Sequence, residues 1–110
     1  VLLNSNAGNR DGGDSYDDMK AYAQEQHYEW PYAVDKDNEL ADAFGADRTP
    51  QCFLFNGEKI LVYQGAIDDN PGSSSGVKRE HLKKAIEEML ANREVSVKNS
   101  RSVGCAIKRI

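Results

Sequence analysis

Apolar positions recur along the chain with two periods, and the places where the period changes mark its elements. Val1-Leu2-Leu3 is a short apolar run ended by Asn4-Ser5-Asn6, which predicts a strand and its polar stop. Ala7 to Asp14, rich in Gly, Asp and Asn, reads as a loop. Ser15 then caps a helix, with Asp18 three residues on in the place a capping box gives to Glu. Asp17 and Asp18 also sit where the helix dipole favours anions. Met19, Tyr22, Ala23 and Gln26 fall at helical spacing and predict one narrow buried stripe. Trp30-Pro31-Tyr32-Ala33-Val34 predicts a second short strand, with Pro31 near its start, where a missing N–H is tolerated. Leu40, Ala41 and Phe44 predict a short helix starting from Asp37 or Asn38, with Gly45 just past its end.

Gln51-Cys52-Phe53-Leu54-Phe55 shows little alternation, the pattern of a strand buried on both faces. Asn56-Gly57 is the preferred pair for a type I′ turn, and Lys59 to Gln64 returns as the partner strand. Ile67 to Val77 reads as a loop containing Asp68-Asp69-Asn70-Pro71-Gly72 and three serines. Leu82, Ile86, Met89 and Leu90 place an amphipathic helix over Arg79 to Ala91. Val95, Val97, Val103 and Ile107 predict that the remaining tail packs against the domain.

The order is β-α-β-α-β-β-α plus a tail. It predicts an α/β domain of three-layer type with a mixed, helix-covered sheet. A chain of 110 residues has room for one core, so the expected division is a domain over 1–91 and a basic tail over 92–110. Charge follows that division. The chain carries 14 Lys+Arg against 18 Asp+Glu, a formal net of -4. The tail carries Arg93, Lys98, Arg101, Lys108 and Arg109 against Glu94 alone. A pI near 5.1 argues against a nucleic-acid binder. The longest apolar run, Ile60-Leu61-Val62-Tyr63, is far below the ~18 residues a membrane span needs. Nothing at the start reads as a signal peptide, and an opening in mid-strand suggests the later part of a longer chain.

Candidate chemistry concentrates at Arg48-Thr49-Pro50-Gln51-Cys52-Phe53-Leu54-Phe55. A Thr-Pro leading into a buried strand, then an Asn-Gly hairpin and a terminal helix, resembles the C-terminal half of the thioredoxin fold. The stretches 1–6, 16–28 and 30–32 resemble the second core strand, inserted helix and following strand of redoxins of the alkyl hydroperoxide reductase and thiol-specific antioxidant kind. Leu40 to Ala46, Tyr63 to Asp69 and Val103 to Lys108 extend the likeness over nearly the whole chain. The resemblance implies a thioredoxin-like three-layer fold lacking its first strand. It also implies a cis peptide at Thr49-Pro50, whose loop (Arg48, Thr49, Pro50) faces a thiol or disulfide partner, protein or small molecule. The implied activity is that of a thiol-disulfide oxidoreductase or peroxiredoxin, with no cofactor.

One departure bears on activity. Such proteins carry their nucleophilic Cys at the start of the first core helix, where the helix N-terminus lowers its pKa. No CxxC occurs among these residues, so this chain by itself is expected to be inactive. Cys52 and Cys105 remain as candidate thiols. Cys52, in a buried strand, reads first as a small core hydrophobe, and otherwise as a thiol facing the missing site. Cys105 lies near Lys108 and Arg109, which favour thiolate. A bond between them needs a Cα separation that spacing does not give. His27, Cys52, His81 and Cys105 match no zinc spacing, so no metal is expected. Asp68 and Asp69 read as a solvated turn before a cation site.

Removing the central strand of a thioredoxin fold leaves two half-sheets with bare edges, which recruit partners. Another segment could supply the preceding residues, a homodimer could complete the sheet, or the first strand could pair directly with 51–56. The alternative function is a non-catalytic thioredoxin-like protein-binding module. The resemblance leaves open whether the compartment is the bacterial cytoplasm or periplasm.

Overall fold

The structure is a computed structural model and describes every residue except Pro71 and Ser73, so that part of the 67–77 loop lies outside the described residues. It is mixed α/β. The strands are β1 (Leu2–Asn4), β2 (Tyr32–Val34), β3 (Arg48–Thr49), β4 (Cys52–Phe55), β5 (Leu61–Gly65) and β6 (Cys105–Ala106). The helices are α1 (Tyr16–Glu25), α2 (Glu39–Phe44) and α3 (His81–Leu90). Among the described residues the strands form three two-stranded ladders, β1-β2, β3-β6 and β4-β5. The chain divides into two compact units, 1–47 with 107–110, and 48–106. The basic tail is shared between them: residues 92–106 belong to the second and 107–110 to the first.

In the first unit β1 and β2 run parallel, Leu2 opposite Tyr32 and Asn4 opposite Val34, joined through α1. Ser15 caps α1 as its sequence predicts: its hydroxyl oxygen accepts the Asp18 N–H at 3.1 Å and donates to the Asp18 carboxylate at 2.8 Å. The buried stripe is narrower than predicted, with Met19 buried, Ala23 half-buried, and Tyr22 and Gln26 exposed. The helix stops at Glu25. His27 adopts the left-handed conformation (φ 55°), and the Tyr28 N–H bonds back to the Ala23 carbonyl at 3.0 Å. His27 thereby takes the place usually held by glycine at a helix C-terminus. The chain turns there, and Tyr28 gathers three other rings: stacked on Trp30 at 5.2 Å, edge-on to Tyr32 at 5.6 Å and to Tyr22 at 6.0 Å.

The loop of 7–14 is tied down by polar contacts. The Arg10 guanidinium donates to Asn4 Oδ1 (2.9 Å), the Asn4 carbonyl (2.8 Å) and the Asp14 carbonyl (3.0 Å). Asp14 accepts from the amides of Asn4 and Asn9. These bonds satisfy Asn4, which is buried at the end of β1. The short helix α2 begins at Glu39, but neither Asp37 nor Asn38 supplies a side-chain cap; Asp35 does. At its other end Gly45 is left-handed (φ 71°), as the sequence predicts.

The core of the second unit is Tyr63, Ala85 and Val95, with Cys52, Leu54, Val62, Leu82 and Met89 packed around it. Val95 thus brings the tail into the core, in line with its apolar spacing. The predicted hairpin forms between β4 and β5, but its turn differs from type I′. Gly57 is not left-handed; Lys59 is (φ 64°), and its N–H closes on the Asn56 carbonyl at 3.0 Å. Asn56 Oδ1 accepts the N–H groups of Glu58 and Ile60 at 2.9 and 3.0 Å, so the asparagine opens the turn instead of standing inside it. Nor is β4 buried on both faces: Cys52, Phe53 and Leu54 are half-buried and Phe55 is exposed.

Candidate functional site

The Arg48-Thr49-Pro50 segment is held by the β3-β6 ladder. Arg48 lies opposite Ala106 and Thr49 opposite Cys105. The Thr49–Pro50 peptide is cis. The ladder needs Gly104, because a Cβ there would overlap the Thr49 carbonyl oxygen. The Arg48 N–H reaches the Gln51 side-chain oxygen at 3.4 Å. Arg48, Thr49, Pro50 and Cys105 are all exposed. The fold therefore brings together one predicted loop and one predicted thiol that are 55 residues apart in sequence.

Cys52 is separated from that thiol in environment. It pairs with Gly65 in the β4-β5 ladder, is half-buried and packs against the Tyr63 cluster. Burial pushes its thiol above the ordinary cysteine range, so it is protonated at neutral pH and a poor nucleophile. Both cysteines are free thiols.

Pro50 forms one wall of a cleft of about 520 Å³ lined also by Ile67, Asp68, His81, Ser100 and Arg101, among others. Two of its lining residues, Ala66 and Ser100, are fixed by a closed hydrogen-bond circuit with the buried Tyr63. The Tyr63 hydroxyl donates to the Ala66 carbonyl at 2.5 Å and meets Ser100 Oγ at 2.6 Å, and Ser100 Oγ accepts the Ala66 N–H at 2.9 Å. His81 stands in the first turn of α3 with Nδ1 buried and without a hydrogen-bond partner among the described residues. Asp68 and Asp69 serve the loop itself: Asp68 accepts the Asn70 N–H and Asp69 the Lys78 N–H, each at 2.9 Å. That backbone bond from Lys78 is the main reason the Asp69 carboxyl lies below its usual range.

Among the described residues no three His, Cys, Asp or Glu side chains converge as a metal site would require. No helix among them is long and apolar enough to cross a membrane. Sequence reasoning missed His81 and Ser100 as lining residues of the cleft, and Tyr63 as the buried group bonded to Ser100 behind it. Tyr63 lay in a predicted strand and His81 in a predicted helix, but nothing local to Ser100 signals that it reaches Ala66.

The chain is thus a mixed α/β protein with an exposed proline loop and an exposed thiol on adjacent strands. No protein-family model and no curated protein matches it. Among solved structures it is similar to a hypothetical protein from Sinorhizobium meliloti 1021, at 32% identity and a TM-score of 0.86 over 98% of this chain and 60% of that one. It is also similar to an uncharacterized conserved protein from Geobacillus kaustophilus, at 35% identity and a TM-score of 0.87 over 98% of this chain and 58% of that one. The chain therefore spans about three-fifths of the length of the structures it matches.

Proposed function

We propose that the chain carries the partner-facing part of a redoxin-like protein with a thioredoxin-like fold, a thiol-disulfide oxidoreductase or peroxiredoxin-like enzyme. The observation that supports this most is the pairing of Thr49 with Cys105, which sets an exposed thiol beside an exposed proline loop. In this reading the Arg48-Thr49-Pro50 loop presents backbone to an extended thiol or disulfide partner, and Cys105 is the thiol open to exchange. Its thiolate attacks one sulfur of the partner's disulfide, forming a mixed disulfide and releasing the other sulfur as a thiolate. Cys52 takes no part, being protonated and half-buried.

The test is intact-mass detection of the mixed disulfide during incubation with excess cystine, with Cys105→Ser as the control. An adduct confined to Cys105, formed at least about tenfold faster than on a free cysteine of the same thiolate fraction, supports the reading. An adduct formed no faster than on free cysteine overturns it and leaves a non-catalytic thioredoxin-like binding module.

A further inference from the structure

We propose that Asn56, at the tip of the β4-β5 hairpin, is a self-modifying site: the Gly57 backbone nitrogen closes on the Asn56 side chain and converts it to aspartate and isoaspartate. The hairpin tip prepares all three groups that this reaction uses.

The electrophile is held and polarised. Asn56 Oδ1 accepts the N–H groups of Glu58 at 2.9 Å and Ile60 at 3.0 Å. The bond to Glu58, two residues on, closes an Asx-turn that folds the side chain forward along the Gly57 peptide. Paired backbone N–H donors at about 2.7–3.1 Å from one oxygen are the arrangement that stabilises an oxyanion. Here they meet the oxygen on which negative charge develops when Cγ is attacked. The main chain is pinned too, since the Asn56 N–H donates to the Ile60 carbonyl at 2.9 Å and the Asn56 carbonyl accepts the Lys59 N–H at 3.0 Å. The reacting groups are thereby kept together before reaction.

Nucleophile and leaving group are free. Gly57 is exposed, and its N–H makes no hydrogen bond among the described residues. It carries no Cβ to screen the nitrogen. Asn56 Nδ2 likewise makes no hydrogen bond among the described residues, so water can protonate it as it leaves. Other asparagines lack one or the other. The side-chain nitrogens of Asn4, Asn6, Asn9 and Asn38 are all bonded. After Asn92 and Asn99 the next N–H is taken: Arg93 donates to the Glu88 carbonyl at 2.8 Å and Ser100 to the Gln64 carbonyl at 3.1 Å.

The chemistry needs only water. Gly57 N loses its proton to solvent and bonds to Asn56 Cγ, and the carbonyl electron pair moves onto Oδ1. The pair returns as the Cγ–Nδ2 bond breaks and ammonia departs, leaving a cyclic imide. Water then opens the imide, at Cγ to give aspartate or at the main-chain carbonyl to give isoaspartate. One water is consumed for each ammonia released.

Peptide mapping by mass, with the two products separated by chromatography, reads the reaction in the folded chain and in the same chain held in urea near neutral pH. Both products are expected at Asn56, about fivefold or more faster in the folded chain, where the two donors are in place. Asn92 and Asn99, followed in the same digests, should convert more slowly than Asn56 while the chain is folded. Gly57→Ala adds a Cβ that meets nothing within 4 Å, so the hairpin stays. It should slow conversion by about tenfold, with an unchanged circular dichroism spectrum, by obstructing the attacking nitrogen. A folded-to-urea ratio below about fivefold overturns the proposal, because the cradle then contributes nothing. Aspartate formed without isoaspartate also overturns it, in favour of direct hydrolysis by water, as does undiminished conversion in Gly57→Ala.

Discussion

Asp35 caps the helix that contains Ala41: its two carboxylate oxygens accept the N–H groups of Leu40 at 2.8 Å and Ala41 at 2.9 Å. The Ser5 hydroxyl donates to the same carboxylate at 2.9 Å. Burial alone would raise the Asp35 pKa, but the two backbone donors, Ser5 and the nearby Arg10 charge outweigh it, and the carboxyl lies below its ordinary range. Asp14 follows the same logic, with burial opposed by the amides of Asn9, Asn4 and Asn6. A depressed folded-state pKa means that the unfolded chain binds protons first as pH falls. The stability these groups contribute is present above the unfolded value of about 4 and is lost as pH drops through the folded values. Thermal unfolding should therefore show a midpoint that is steady near neutrality and declines below about pH 4. Asp35→Asn should lower stability at pH 7 by about 2 kcal/mol and flatten the acid limb. An acid limb of unchanged steepness in that variant would show that other carboxylates dominate.

Tyr63 is fully buried, and its hydroxyl is shared between the Ala66 carbonyl and Ser100. Tyr63→Phe keeps the ring in the core but leaves the Ala66 carbonyl and the Ser100 hydroxyl each one bond short. Urea unfolding is expected to show a loss of about 1–2 kcal/mol with little change in slope. A loss near zero would mean that water takes the place of the hydroxyl.

The two thiols should separate by chemistry. In the folded chain iodoacetamide at pH 7.5 is expected to label Cys105 and spare Cys52, with rates at least about tenfold apart. In urea the two rates should converge. Peptide mass mapping of each cysteine distinguishes the outcomes, and equal labelling of the folded chain would contradict the burial of Cys52.

Gly104→Ala tests the strand pairing that unites the candidate site. The new Cβ would meet the Thr49 carbonyl oxygen, and the backbone on either side must shift to admit it. A cost of about 2 kcal/mol or more is expected, together with faster amide exchange at the backbone N–H groups of the β3-β6 ladder. An unperturbed exchange pattern would show that the ladder contributes little.

Part of the fold was legible because its causes are local. Ser15 and Asp18 are three residues apart and cap their helix directly, and Gly45 ends another by a conformation that costs glycine nothing. The spacing of Leu82, Ile86 and Met89 was enough to find α3. At the hairpin the pair Asn56-Gly57 located the reversal correctly but suggested the wrong turn. The asparagine side chain, accepting from Glu58 and Ile60, decided between the two.

What the sequence by itself determined, then, is the order of the three helices and of the strands β1, β2, β4 and β5, the place of the proline loop and the identity of two candidate thiols, since each rests on neighbours within a few residues; the short strands β3 and β6 were not among the predicted elements. Tertiary structure alone decided that Cys105 stands opposite Thr49, that Ser100 reaches Tyr63 and Ala66, and that Asp35 caps a helix in place of Asp37 or Asn38. Each of these depends on which segments meet in space. Pairing across tens of residues is set by the burial and hydrogen bonds that the chain as a whole can satisfy, and no local pattern encodes it.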